Sequence, residues 1–158
     1  MSDSALFVPP DVVEKWQNAL RTREPRALEL AYALALALPA EDVAAALLPP
    51  TYNAMDTASV EMSSAARALL LEANAKYDAL RRGAFKQVDL GNHQVLGFER
   101  FGEGEKLLII NNLSAQSQPL KFRDHAGREG WDILNRVEFI FPARVQLEPY
   151  EFLWLLVE

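Results

Sequence analysis

The spacing of apolar residues changes once along this chain, at Gly83, and that change limits the fold more than any local motif does. Before Gly83, alanine and leucine recur at helical intervals; after it, short apolar segments with a spacing near two alternate with turn residues. Helices followed by strands in one chain of 158 residues point to an α+β fold, with an N-terminal helical layer packed on a C-terminal antiparallel β-sandwich of about seven or eight strands. The expected division is a helical region over residues 1–82 and a β-sandwich over residues 83–158. With no internal repeat and no low-complexity linker between them, the halves are expected to form one cooperative unit. A chain of this length buries roughly 70% of its unfolded surface and needs no covalent staple.

The first helix is expected from Pro9-Pro10-Asp11, where proline is tolerated in the first turn and an acid favours the positive end of the helix dipole. Val12, Val13, Trp16, Ala19 and Leu20 then share one face. A second helix, expected from about Thr22 with Pro25 in its first turn, runs to Pro39 and is apolar on nearly every face, as a helix buried between layers would be. Residues 41–48 read as a short helix and 51–58 as a loop. A long helix is expected over residues 59–80, with Met62, Ala65, Ala66, Leu69, Leu70, Ala73, Tyr77 and Leu80 as its stripe. Gly83 would follow it as a left-handed cap.

Beyond Gly83, Phe85, Val88 and Leu90 open the strand region, and residues 95–101 pair with 106–113 across Gly102-Glu103-Gly104-Glu105 as a hairpin. Further strands are expected at 119–122, 131–134, 137–141, 144–147 and 152–157. Two segments, Leu107-Leu108-Ile109-Ile110 and residues 152–157, are apolar on both faces, which marks central strands covered from both sides. The helical half is the expected cover for one of those sides.

Composition narrows the function classes. The net charge is −6 and the basic residues are scattered apart from Arg81-Arg82, so no stripe is present to neutralise a row of phosphates, and no nucleic-acid partner is expected. The chain has no cysteine, which excludes disulfides, thiolate metal sites and cysteine nucleophiles and fits a reducing compartment. Met1-Ser2-Asp3-Ser4 does not read as a secretory signal, and the longest apolar run, residues 28–38, falls short of the ~20 residues needed to cross a bilayer. A cytoplasmic protein with no membrane partner is the expectation. Asn112-Leu113-Ser114 matches a glycosylation acceptor and is read as a chance match.

Several stretches carry a family resemblance. Ala79-Leu80-Arg81-Arg82-Gly83, then Val95-Leu96-Gly97-Phe98-Glu99-Arg100, Leu107 to Ser114, and Pro149-Tyr150-Glu151-Phe152-Leu153-Trp154-Leu155 resemble, in that order, the end of the last barrel helix and the C-terminal β-domain of the α-amylase family. Upstream, residues 27–39 are similar to the seventh barrel helix of such enzymes. The chain departs at Ala40, where the family has a glycine, and over residues 41–48, which read as helix where the family has its eighth strand. The resemblance implies a carbohydrate setting without catalysis. The family's catalytic carboxylates lie upstream of the region resembled, and a closed eight-stranded barrel takes ~250 residues.

The residues themselves point the same way. Glycoside hydrolysis needs two carboxyls facing each other across the bond, and Asp3, Asp11, Glu41 and Asp42 are better read as helix-terminal or solvated groups. No catalytic residue is assigned. His93 and His125 lack metal-ligand spacing, no glycine-rich phosphate loop is present, and no metal or cofactor is expected. Aromatic rings stack on the apolar face of a sugar while polar neighbours bind its hydroxyls. The candidate sugar-binding residues are therefore Trp131, beside Asp132 and near Asn135, with Tyr150, Phe101 and Phe122 as additions. Trp154 is read as core and Trp16 as a cap on the helical layer.

The expected role is that of a non-catalytic accessory or remnant C-terminal portion of an α-amylase-like enzyme, acting in packing, assembly or contact with an α-glucan or malto-oligosaccharide. Two alternatives stand beside it. One is a small homo-oligomeric interaction or regulatory protein without sugar binding. The other is one chain of a split glycosidase whose catalytic barrel is a separate subunit. Whether the helices cover the sheet of their own chain or that of a neighbour is open at this stage.

Overall fold

In the computed structural model, which describes residues 6–38, 47 and 64–157, helices precede strands as the spacing requires. The helices are α1 (Pro10–Arg21), α2 (Pro25–Ala37), α3 (Ser64–Lys76) and α4 (Asp78–Arg82). The strands are β1 (Ala84–Val88), β2 (Val95–Gly102), β3 (Glu105–Asn112), β4 (Gln118–Lys121), β5 (Glu129–Asp132), β6 (Val137–Ile140), β7 (Arg144–Leu147) and β8 (Phe152–Val157). Six strands form one sheet in the order β1-β2-β3-β8-β5-β6, and β4 and β7 form a second. Every pairing is antiparallel.

The two strands that are apolar on both faces, β3 and β8, lie side by side in the middle of the large sheet. Phe98, Ile109 and Trp154 form one cross-strand row and face the helices, packing with Leu96 and Leu107 against Trp16 and the apolar side chains of α2. Their neighbours Leu108, Ile110 and Leu155 face the other way, onto Leu120, Phe122, Phe141 and Leu147 around the small sheet. Burying each such side chain stabilises by roughly 1.5–3 kcal/mol. Both layers are needed, because β3 and β8 would otherwise leave an apolar face in water.

The helical layer covers its own chain's sheet. α1 starts at Pro10 and buries Val12, Trp16, Ala19 and Leu20. α2 buries residues on nearly every side, from Ala27 through Ala37. It starts at Pro25, later than the spacing predicts, because Thr22 ends α1 and Arg23 takes a positive φ of 59° that breaks the run; the Glu24 side chain accepts the Arg26 N–H to open α2. The expected long helix over 59–80 is likewise two helices. Tyr77 adopts φ −101° and ψ 110° between α3 and α4. Of its stripe, Leu70, Ala73, Tyr77 and Leu80 are buried, whereas Ala65 and Leu69 are exposed. Met62, the helix expected at 41–48 apart from Leu47, and the loop at 51–58 lie outside the described residues.

Five residues are too few for a helix to persist by itself, and α4 is held at both ends by the β2–β3 hairpin. At its start the Ala79 N–H donates to Glu105 Oε1 at 2.8 Å. At its end Arg100, fully buried on β2, donates to Leu80 O at 3.3 Å and to Gly83 O at 2.8 Å, and also to Ala37 O at the end of α2. An acid thus sits at the positive end of α4 and a cation at the negative ends of α4 and α2, where helix carbonyls lack partners of their own. Burial lowers the Arg100 pKa from its usual value to about 10, which leaves it charged at neutral pH.

Gly83 is not the left-handed cap that its position predicts. Its φ is −70° with ψ 156°, a conformation open to any residue. Glycine is required by proximity instead, since a Cβ there would stand 2.3 Å from Ala79 O and 2.5 Å from Phe101 O. Gly104, with φ +74°, does use glycine's freedom, in the two-residue connection between β2 and β3.

Three outcomes follow for stability, each read from urea or thermal denaturation. Gly83→Ala should cost about 1–3 kcal/mol by pushing α4 off β2. Arg100→Met should cost about 3 kcal/mol or more by leaving buried helix-end carbonyls without donors. Arg100→Lys should recover little of that loss, because an ammonium cannot reproduce the fork that spans Ala37, Leu80 and Gly83.

Candidate functional site

Of the candidate sugar-binding residues, Asp132 and Asn135 are joined by a turn. After β5 the chain reverses into β6 with Arg136 at a φ of 58°, and the Arg136 N–H donates to Asp132 O at 2.8 Å. Asp132 Oδ1 accepts the N–H groups of Leu134 at 3.1 Å and Asn135 at 2.9 Å, and Oδ2 accepts Asn135 Nδ2 at 2.8 Å. With only 5% of its surface exposed, this carboxylate is occupied in holding the turn. The Arg136 guanidinium extends from the turn to pair with Glu72 of α3.

Trp131 is exposed over 40% of its surface and pairs across the strands with Glu138 and Leu156, which share its face. Successive residues of a strand point to opposite faces, so the Trp131 ring and the Asp132 carboxylate diverge. Their adjacency in sequence does not become adjacency in space.

Tyr150 occupies the corner before β8. It takes a φ of 58°, donates its N–H to Ser114 O at 3.2 Å, and lays its ring 6.1 Å from that of Trp16. Burial first, and then the negative charge of Glu24, raises its phenol pKa above the usual value. The ring stands between two clefts. The smaller, about 270 Å³, brings Tyr150 together with Asn135, Arg26, Glu29, Leu69 and Phe152. Burial also raises the Glu29 carboxyl above its usual pKa, and the Arg26 charge opposes that rise.

The larger cleft, about 580 Å³, runs from Tyr150 between α1 and the connection from β3 to β4. Lys15, Asn18 and Arg21 line it from α1, with Gln94, Ala115 and Gln116 on the sheet side. The connection is held rigid from below. Asn112 Nδ2 donates to Gln116 O at 2.8 Å and Glu148 O at 2.9 Å, the Ser114 N–H donates to Asn112 Oδ1 at 3.0 Å, and Gln118 Nε2 donates to Ser114 Oγ at 3.1 Å. Asn92 Nδ2 continues the chain of bonds to Gln118 Oε1 at 3.1 Å.

None of these cleft residues except Tyr150 stands out in the sequence. The available signal is the run of Asn, Ser and Gln that follows the apolar part of β3, since such side chains bond their own backbone in turns. The Asn112-Leu113-Ser114 acceptor pattern belongs to the same network. Asn112 is fully buried with its amide engaged, so in the folded chain it serves the loop.

Phe122 is buried in the aromatic cluster with Phe139 and Phe141, and Phe101 pairs along β2 with Ala84 and Lys106. His125 stacks 5.1 Å from Phe141, and burial, followed by the charge of Lys106, lowers its pKa. Among the described residues no three His, Cys, Asp or Glu side chains are grouped to hold a metal ion, and no helix is long and apolar enough to cross a membrane.

Residues 85–154 match the family model of the maltogenic amylase C-terminal domain. No curated protein sequence matches the chain. Among solved structures, a MutB variant in complex with glucose aligns over 92% of this chain and 41% of its own, at 13% identity and a TM-score of 0.61. An AmyP variant in complex with maltotriose aligns over 85% of this chain and 35% of its own, at 14% identity and a TM-score of 0.59. The trehalulose synthase MutB from Pseudomonas mesoacidophila MX-45 aligns over 59% of this chain and 17% of its own, at 20% identity and a TM-score of 0.47. The chain therefore spans less than half of each of these structures. The first two share the fold over most of this chain, and residues 85–154 are similar to the C-terminal domain of maltogenic amylase.

Proposed function

We propose that this chain is a non-catalytic accessory C-terminal portion of an α-amylase-like enzyme, working in the cytoplasm through assembly with a catalytic barrel and through contact with an α-glucan. The observation that carries this reading is the way the helical layer is fastened to a β-domain of this family. Arg100 and Glu105 tie the ends of α2 and α4 to one hairpin, so that helices and sheet present a single surface to whatever they meet. Residues 1–82 and 83–158 would then act as one body in two layers.

Size and setting support it. A catalytic barrel of this family needs ~250 residues, more than the 158 present. The similar structures are longer chains, and those with AmyP and MutB hold maltotriose and glucose. Asn135 and Tyr150, which line one cleft, keep a place in the glucan contact, whereas Asp132 serves its turn.

The native complex isolated through this chain from its source cells distinguishes the readings. A larger barrel-type glycosidase should co-purify with it in a fixed ratio, measured by native mass spectrometry. Recovery of the chain alone or as a homo-oligomer would overturn the assembly role and favour a small interaction protein.

A further inference from the structure

The cleft beside Tyr150 has the properties of a site for an uncharged, hydroxyl-rich ligand. Its charged lining residues include Lys15 and Arg21 but also Glu14 and Glu24, so the charges offset one another and neither an anion nor a cation is favoured. Between them stand the amides of Asn18, Gln94 and Gln116, each able to donate and accept in the way that paired sugar hydroxyls require. The floor is apolar, formed by Val12, Ala19 and Leu113 with the Tyr150 ring braced against Trp16. Its volume of about 580 Å³ is within the range of small-ligand sites, roughly 300–1,000 Å³.

Preorganisation distinguishes this cleft from a chance surface groove. The β3–β4 connection that carries Ala115 and Gln116 is fixed by buried Asn112, Ser114 and Gln118, so that an exposed loop stands on a satisfied polar network. The opposite wall is α1, whose position is set by the fully buried Trp16 and its Nε1 bond to Leu47 O at 3.0 Å. Rigid walls reduce the ordering cost of binding a flexible oligosaccharide.

We infer that the cleft between α1 and the β3–β4 connection is a binding site for a short neutral oligosaccharide, with Asn18, Gln94 and Gln116 binding hydroxyls over the Tyr150 floor. The choice of an α-1,4-linked ligand rests on the functional reading above; the site itself rests on the cleft. Trp131, on β5, is outside it.

Amide chemical-shift mapping of the full chain tests this, with maltotriose as the probe and cellotriose for comparison. Maltotriose should shift the resonances of residues 15–22, 94 and 113–116, and more strongly than cellotriose does. The double change Asn18→Ala with Gln116→Ala, at two exposed positions, should weaken binding about tenfold while leaving the urea midpoint unchanged. Filling the cleft by Ala115→Trp should abolish the shifts. Maltotriose shifts centred on Trp131 or Asn135 with none in the cleft would overturn this site while leaving glucan contact standing. Absence of any shift would overturn the site and the glucan contact together. The assembly role is decided separately by co-purification.

Discussion

A single buried cation holds the two halves of this molecule in register. Arg100 is on β2 with no exposed surface, and its guanidinium reaches the backbone carbonyls of Ala37, Leu80 and Gly83. Hydrogen bonds from an ionised donor are stronger than neutral ones, and here they meet carbonyls at helix ends, which the helices cannot satisfy internally. Desolvation opposes the arrangement, as the lowered pKa of about 10 records. The bonds offset that cost only while α2 and α4 stay in place on the sheet, so the group fixes position as well as contributing stability. Glu105 at the start of α4, Gly83 at its end, and Asn74 Nδ2 donating to Leu36 O at 2.9 Å complete the same junction.

From that junction the remaining geometry follows. With α2 fixed, α1 must lie where Trp16 meets Tyr150, and its exposed face then confronts the β3–β4 connection. The end of β3 has to support that connection, which accounts for the fully buried Asn112 beyond its apolar run Leu107–Ile110. The N-terminal segment is tied down on the far side, where the Gln87 amide exchanges bonds of 2.8 and 2.7 Å with the backbone of Phe7 as a neighbouring strand would. The helical layer is thus attached along the sheet at several places, and the larger cleft is a by-product of how α1 crosses it.

What the sequence makes legible is set by the range of the interactions involved. Strand alternation, the apolar double faces of β3 and β8, and the proline starts of α1 and α2 depend on neighbours a few residues apart, and the fold class and strand positions could be read from them. Gly83 has a local signature that misleads: its position after a helix predicts a left-handed cap, while the actual requirement is the approach of Ala79 and Phe101, the latter 18 residues further along a different element. Alternation places Arg100 on the inward face with Leu96 and Phe98, but nothing local to an arginine says which carbonyls it meets there until α2 is known to end over it. The candidate site divides in the same way. The turn chemistry of Asp132 and Asn135 is local, yet strand pleating separates it from Trp131, and the cleft at Tyr150 is assembled from α1, Gln94, the β3–β4 connection and Tyr150, which are distant in sequence.

The apolar character of α2 bears on how the two layers stand as one folded unit. In sequence it reads as a helix made to be enclosed, and a partner chain was one way to enclose it. In the structure the enclosure comes from within: Leu28, Leu30, Leu34 and Tyr32 are buried, and Ala37 at the C-terminal end carries the carbonyl that Arg100 binds. A surface satisfied internally has no remaining demand for association, so α2 provides no reason for the chain to self-associate. The proposed assembly contact would therefore use faces that the fold leaves open, among them the exposed Val137 and Ile140 of the edge strand β6. An open edge strand presents unpaired backbone N–H and C=O groups that another strand can pair with, so β6 is the face of the sheet where a contact needs no rearrangement of the core.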